Sequence, residues 1–135
     1  MTLILSKKYN PLFDSKARYF IITGGRGSGK SFAVTVFLTL LTMSRGIRVL
    51  FTRFTMTSAH LSIIPEFLEK IGLLGFEETF NINKSEVVNA KNKSDILFRG
   101  IKTSAGNQTA SLKSLQGIST WVLDEAEELV DENIF

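Results

Sequence analysis

Gly24, Gly25, Arg26, Gly27, Ser28, Gly29, Lys30 and Ser31 fit the spacing G-x-x-x-x-G-K-[ST] without a mismatch. That spacing suits one kind of chemistry, the holding of nucleotide phosphates. A triphosphate needs many donors at close range, and glycines let the backbone fold around it with successive N–H groups pointing inward. A helix opening directly after the loop adds the free N–H groups and the positive end of its first turn. Lys30 would place an ammonium on the β- and γ-phosphates, and Ser31 would offer a hydroxyl to Mg²⁺. The expected ligand is ATP with Mg²⁺. The glycines at 24, 25, 27 and 29 do not keep the spacing G-x-G-x-x-G, so a dinucleotide-binding reading fails.

Such a loop needs an acid at the end of a neighbouring strand to hold Mg²⁺ through water. Trp121, Val122 and Leu123 run directly into Asp124 and Glu125. In an open α/β sheet ligands sit at the carboxyl ends of the strands, where Asp124 would emerge. Glu125, one residue on, is placed to polarise the attacking water as general base. The plainer alternative makes Asp124 and Glu125 the acidic first turn of a surface helix over residues 126–130. With Asp124 and Glu125 in the metal and base roles, Glu127 and Glu128 read as solvated helix acids, Glu127 being a lesser candidate base.

The elements that must position these groups are legible as apolar runs with glycine stops. Residues 19–23 read as a buried parallel strand leading into the loop. Residues 31–44, apolar on nearly all faces and free of Gly and Pro, read as a buried helix. Residues 47–52 predict a second buried strand. Thr57 or Ser58 can cap a helix to about Lys70, ended by Gly72 and interrupted at Pro65. Residues 80–83, 86–88 and 96–98 predict shorter strands, residues 102–112 a polar loop, and residues 120–123 a last buried strand. Early alternation of strands and helices, with antiparallel strands in the middle, argues α/β with a mostly parallel sheet flanked by helices.

Composition narrows the class further. The 135 residues are one domain or part of one, 44% hydrophobic with 11 Phe. Phe32, Phe37, Phe51, Phe67 and Phe98 are the expected core aromatics. There is no Cys and a single His, His60, which excludes a disulfide scaffold and argues against a zinc site. No signal peptide is recognisable, and the longest apolar run is too short to span a bilayer. Net charge is +3, with nine Lys or Arg against one acid up to Pro65 and six acids with no base from Asp124 onward. That asymmetry fits a basic half that meets phosphates and an acidic end that holds a metal, although short chains scatter charge unevenly.

Several segments together resemble the large terminase subunits of tailed bacteriophages, the ATPases that package DNA into proheads. They are the arginine-bearing loop itself; Asn10, Pro11, Leu12 and Phe13 followed by Tyr19; VLFTR at 49–53; DILFRG at 95–100; LKSLQG at 112–117; and WVLDEAEEL at 121–129. The resemblance implies an ATPase of the additional-strand branch of P-loop proteins. It implies phosphate and Mg²⁺ contacts for Lys30 and Ser31, a second metal contact for Asp124 and the catalytic carboxylate for Glu125. Arg26 takes the place of the family's loop arginine, where a guanidinium can contact the γ-phosphate. Arg53 either faces the nucleotide or forms a strand-end salt bridge. Tyr9 lies near the adenine or is an ordinary surface tyrosine, and the loop over residues 102–113 either touches DNA or is solvated.

The implied partners are double-stranded viral DNA, the portal protein and the small terminase subunit, in the cytoplasm of the bacterial host and without a membrane. Residues 1–135 read as the N-terminal part of the motor domain, truncated before the later core strands and without the nuclease domain. In this branch a later strand lies between the two motif strands, so the sheet is expected to lack an interior strand and the chain to self-associate or borrow a strand. A P-loop kinase, and a catalytically silent nucleotide-binding fragment, are the rival readings.

Overall fold

A strand is stable only as part of a ladder, so the apolar runs become a sheet according to which neighbours they find. In a computed structural model the described residues are 3–44, 46–55, 59–83, 85–101 and 115–126. They form a 3₁₀ turn Lys7–Tyr9, α1 Pro11–Asp14, α2 Lys30–Ser44, β1 Arg48–Arg53, a π-helical turn Ala59–Ile63, α3 Ile64–Leu73, β2 Phe80–Ile82, β3 Glu86–Asn89, β4 Asp95–Gly100 and β5 Thr120–Leu123. The five strands make one sheet in the order β2-β3-β4-β1-β5.

β1 pairs in parallel with β4 and β5, with Phe51 opposite Phe98 on one side and Val122 on the other. The pairs β2–β3 and β3–β4 are antiparallel. The sheet is therefore evenly mixed rather than mostly parallel, because the middle strands, expected to be antiparallel, make up half of its pairings. β1, β4 and β5 share a direction, so Arg53, Gly100 and Leu123 end at the same edge.

Phe51, Phe67 and Phe98 form the centre of the core, with ring centroids 5.3 to 5.9 Å apart. Phe32 and Phe37 are only partly buried. Phe37 meets the edge of Phe13 at 5.2 Å, and Phe32 lies under the Lys70 ammonium at 4.7 Å.

The buried side of α2 carries Thr35, Thr39 and Thr42 among its apolar residues. Their hydroxyls turn inward on the helix: Thr39 Oγ1 donates to the Thr35 carbonyl at 2.9 Å and Thr42 Oγ1 to the Thr39 carbonyl at 2.7 Å. The Thr42 carbonyl at the helix end accepts from the side-chain amides of Asn89 and Asn92. The β3–β4 turn thus caps the helix that the glycine-rich loop of residues 24–31 opens.

The expected break at Pro65 is present, since the π-helical turn ends at Ile63 and Pro65 sits in the first turn of α3. α3 runs past Gly72, and the chain reverses instead at Gly75, whose φ is 75°.

Two further expectations fail. Residues 19–23 form no strand and make no backbone hydrogen bond to any described residue. Tyr19 and Ile21 are 85% and 92% exposed. An apolar run cannot become a strand where no partner edge lies beside it. β5 is a strand as expected but not a buried one: it is the sheet's edge beside β1, and Trp121 is 57% exposed. The loop at 102–113, the helix expected beyond Ala126 with Glu127 and Glu128, and the His60 side chain lie outside the described residues. No described helix is long and apolar enough to cross a membrane.

Candidate functional site

Residues 24–31 form a loop that closes on itself and opens α2 at Lys30. Gly24 has φ +150°, and a Cβ there would come within 3.0 Å of Ser28 Oγ, so the close turn tolerates only glycine. Lys30 Nζ donates to the Gly24 carbonyl, and more loosely to the Gly25 carbonyl at 3.3 Å and Ser28 Oγ at 3.4 Å. The ammonium is thereby folded into its own loop. Arg26, at the tip, and Ser31 are exposed to solvent.

The loop is supported from outside. Tyr9 is buried (7% exposed), and its hydroxyl donates to the Ser28 carbonyl at 2.7 Å. Tyr9 is therefore no surface tyrosine: its ring packs against the loop. A cavity of about 310 Å³ opens beside it, lined by Lys8, Tyr9, Pro11, Leu12, Phe20 and Ile22.

The acids gather at the carboxyl edge of the sheet. The Asp124 amide donates to the Thr52 carbonyl at 2.9 Å, which continues the β1–β5 ladder one step past Leu123. Arg53 ends β1 alongside it. Its Nε donates to Asp124 Oδ2 at 2.6 Å, one Nη to Glu125 Oε1 at 3.0 Å and the other to Ser62 Oγ at 2.7 Å. Of the two open readings for Arg53, the structure has the strand-end salt bridge, with the Arg53 side chain 9% exposed. Glu125 has φ 52°, a left-handed backbone that is uncommon for a non-glycine residue and costs about 1–3 kcal/mol, which the surroundings must offset.

One contributor has no local signal in the sequence. Glu66, in the first turn of α3, has its carboxyl pushed above the ordinary 4.5, chiefly by burial, with Asp124 and Glu69 adding to the rise and Lys70 and Arg53 opposing it. One turn along α3, Lys70 sits over Phe32 in the first turn of α2. α3 thus bridges the start of the loop's helix and the acid edge. Only packing reveals this, because an acid near a helix start is commonplace. Among the described residues, Lys30 makes no ion pair with Asp124.

The residues present fit a nucleotide. The loop has the glycine-limited turn that a phosphate needs and a lysine whose present acceptors are carbonyls and a hydroxyl of its own loop. Ser31 and Asp124 are oxygen donors suited to Mg²⁺, which keeps several waters and asks few ligands of the protein. No group of three or more His, Cys, Asp or Glu side chains that could hold a metal ion occurs among the described residues.

No curated protein matches the chain in sequence. The large terminase of a thermophilic bacteriophage is similar in structure, with a TM-score of 0.61 over 90% of this chain and 39% of that one. At 12% identity that likeness is one of fold, and this chain spans well under half of that protein's length. Residues 16–135 match the family described as phage terminase large subunit. With nearly the whole chain matched and the mixed α/β fold in agreement, the chain belongs to the phage terminase large subunit family.

Proposed function

We propose that this chain is the ATP-binding and hydrolysing part of a viral DNA-packaging motor, the N-terminal portion of the motor domain. The observation that carries the reading is that one chain has both a glycine-rich loop at the head of a helix and two carboxylates at the carboxyl edge of its parallel strands. In this reading Gly24, Gly25, Gly27, Ser28 and Gly29 wrap the phosphates, Lys30 leaves its carbonyls for the β- and γ-phosphates, and Arg26 reaches the γ-phosphate from the exposed tip. Ser31 and Asp124 hold Mg²⁺, which neutralises charge on the transferring phosphoryl group. Glu125 accepts a proton from the attacking water. Arg53 holds both carboxylates, so Glu125 must exchange at least one of its contacts before it can act.

Double-stranded DNA, the portal protein and the small terminase subunit are the proposed partners, in the cytoplasm of the host bacterium. Phosphate release, with and without double-stranded DNA, tests the proposal. Lys30→Ala should abolish ATP binding, and Glu125→Gln should retain binding while slowing hydrolysis by a factor of about 100 or more. Binding with no turnover under any condition would favour the silent fragment, a reading that the Arg53 contacts to both acids also support. Phosphate appearing on a small acceptor instead of in water would favour a kinase.

A further inference from the structure

Glycine makes a phosphate loop possible and also leaves it loose. Gly27 and Gly29 have φ values of 75° and 79°, in the left-handed region that glycine enters about as readily as the right-handed one. The peptide unit between Ser28 and Gly29 can turn over with little steric cost, because Gly29 accepts φ of either sign. Something else must choose its orientation.

We propose that Tyr9 makes that choice, pinning the Ser28 carbonyl outward so that the Gly29 N–H faces a bound phosphate. The inference rests on the reading of residues 24–31 as a triphosphate site. In a trans peptide the carbonyl and the N–H of one unit point in opposite directions. No described peptide bond is cis. Holding the Ser28 carbonyl against the Tyr9 hydroxyl at 2.7 Å therefore turns the Gly29 N–H to the loop's other side.

Neighbouring carbonyls have other partners. Those of Gly24 and Gly25 accept from Lys30, and that of Gly29 accepts from the Ala33 amide at 3.0 Å, the first rung of α2. The Ser28 carbonyl is the one that Tyr9 takes. The ring also backs onto Gly29, where a Cβ would lie 3.9 Å from Tyr9 Cε2.

The pin is itself anchored. The Tyr9 amide donates to the Ser6 carbonyl at 3.0 Å and the Asn10 amide to that of Lys7 at 3.1 Å, closing the 3₁₀ turn. A few residues on, Phe13 meets Phe37 of α2 edge-on at 5.2 Å. Tyr9 is thus a strut between the loop and the flank of the helix that the loop opens. Its role is positioning: it touches the backbone that touches phosphate. Bound before any ligand arrives, it removes an ordering cost from binding.

The test is Tyr9→Phe in the 135-residue chain, which keeps the ring and removes only the hydroxyl. Affinity for ATP and for pyrophosphate, both with Mg²⁺, is measured by titration calorimetry. Thermal unfolding is followed alongside, as is the Gly29 amide resonance in ¹⁵N spectra. Loss of one hydroxyl–carbonyl bond should weaken both ligands by the same factor, about five- to tenfold, and shift the Gly29 amide of the free protein while unfolding stays cooperative. Unchanged pyrophosphate affinity overturns the proposal, and so does weakening confined to ATP, which would place Tyr9 against the nucleoside instead. If the unsubstituted chain binds neither ligand, the triphosphate reading falls and this inference with it. If the unsubstituted chain binds both and Tyr9→Phe matches it, only the role of Tyr9 falls.

Discussion

The Arg53 guanidinium donates to Glu125 Oε1 at 3.0 Å while its Nε holds Asp124 at 2.6 Å, so one cation at the end of β1 restrains both acids at the end of β5. The link spans 71 residues of sequence between Arg53 and Asp124 and is made possible by the parallel β1–β5 pairing. A planar fork reaches three acceptors at once, the third being Ser62 Oγ.

Arg53→Ala should therefore lower stability by about 1–3 kcal/mol, less than for a fully buried pair because Asp124 and Glu125 keep 25% and 41% exposure and can rehydrate. Arg53→Lys should recover only part of the loss, since one ammonium cannot match the fork. Urea unfolding midpoints compare the three proteins. An Arg53→Ala midpoint equal to that of the unsubstituted chain would show that the network contributes nothing.

Glu66 gives a pH signature. Its raised pKa means that the folded state keeps a proton which the unfolded state has already lost above 4.5. Stability from this group accordingly falls as pH rises from 4.5 through the folded value, and the full cost is present above it. Glu66→Gln should stabilise the protein at pH 7, with the advantage shrinking toward about pH 4. Denaturation of both proteins across that range measures the difference, and an advantage that does not change with pH would contradict the burial argument.

The sheet's outer edge and residues 19–23 lead to a prediction about assembly. Among the described residues β5 has a neighbour on one side only, and Tyr19, Phe20, Ile21 and Trp121 expose large apolar surfaces without a charge among them. Bare apolar edges invite strand addition. The chain should self-associate, with apparent mass by light scattering rising with concentration. Ile21→Lys combined with Trp121→Lys should suppress it. A strictly monomeric species at high concentration would refute the expectation.

Much of the glycine-rich loop is legible in the sequence because its pattern is local. Glycine spacing, a following lysine and serine, and a helix opening at the loop depend only on residues a few positions apart, and the structure starts α2 at Lys30 accordingly. Pro65 marks the break before α3 for the same reason: a missing N–H acts on its own turn. The run at residues 19–23 misleads because apolar content signals burial without saying against what. Tyr9 is illegible because nothing beside it in sequence shows that Ser28 lies across from its hydroxyl.

The sequence by itself determined the loop, the helix it opens, the strand that carries Asp124 and Glu125, and the family likeness that residues 16–135 bear out. Tertiary structure alone decided which strands are neighbours. That decision left residues 19–23 without a ladder, brought Arg53 onto both acids, left Glu66 partly buried within reach of the Asp124 charge and set Tyr9 against the loop. The physical reason is common to all four. A motif is written in short-range spacing, whereas burial, ion pairing and strand partnership are properties of chain segments far apart in sequence, and they exist only once packing has brought those segments together.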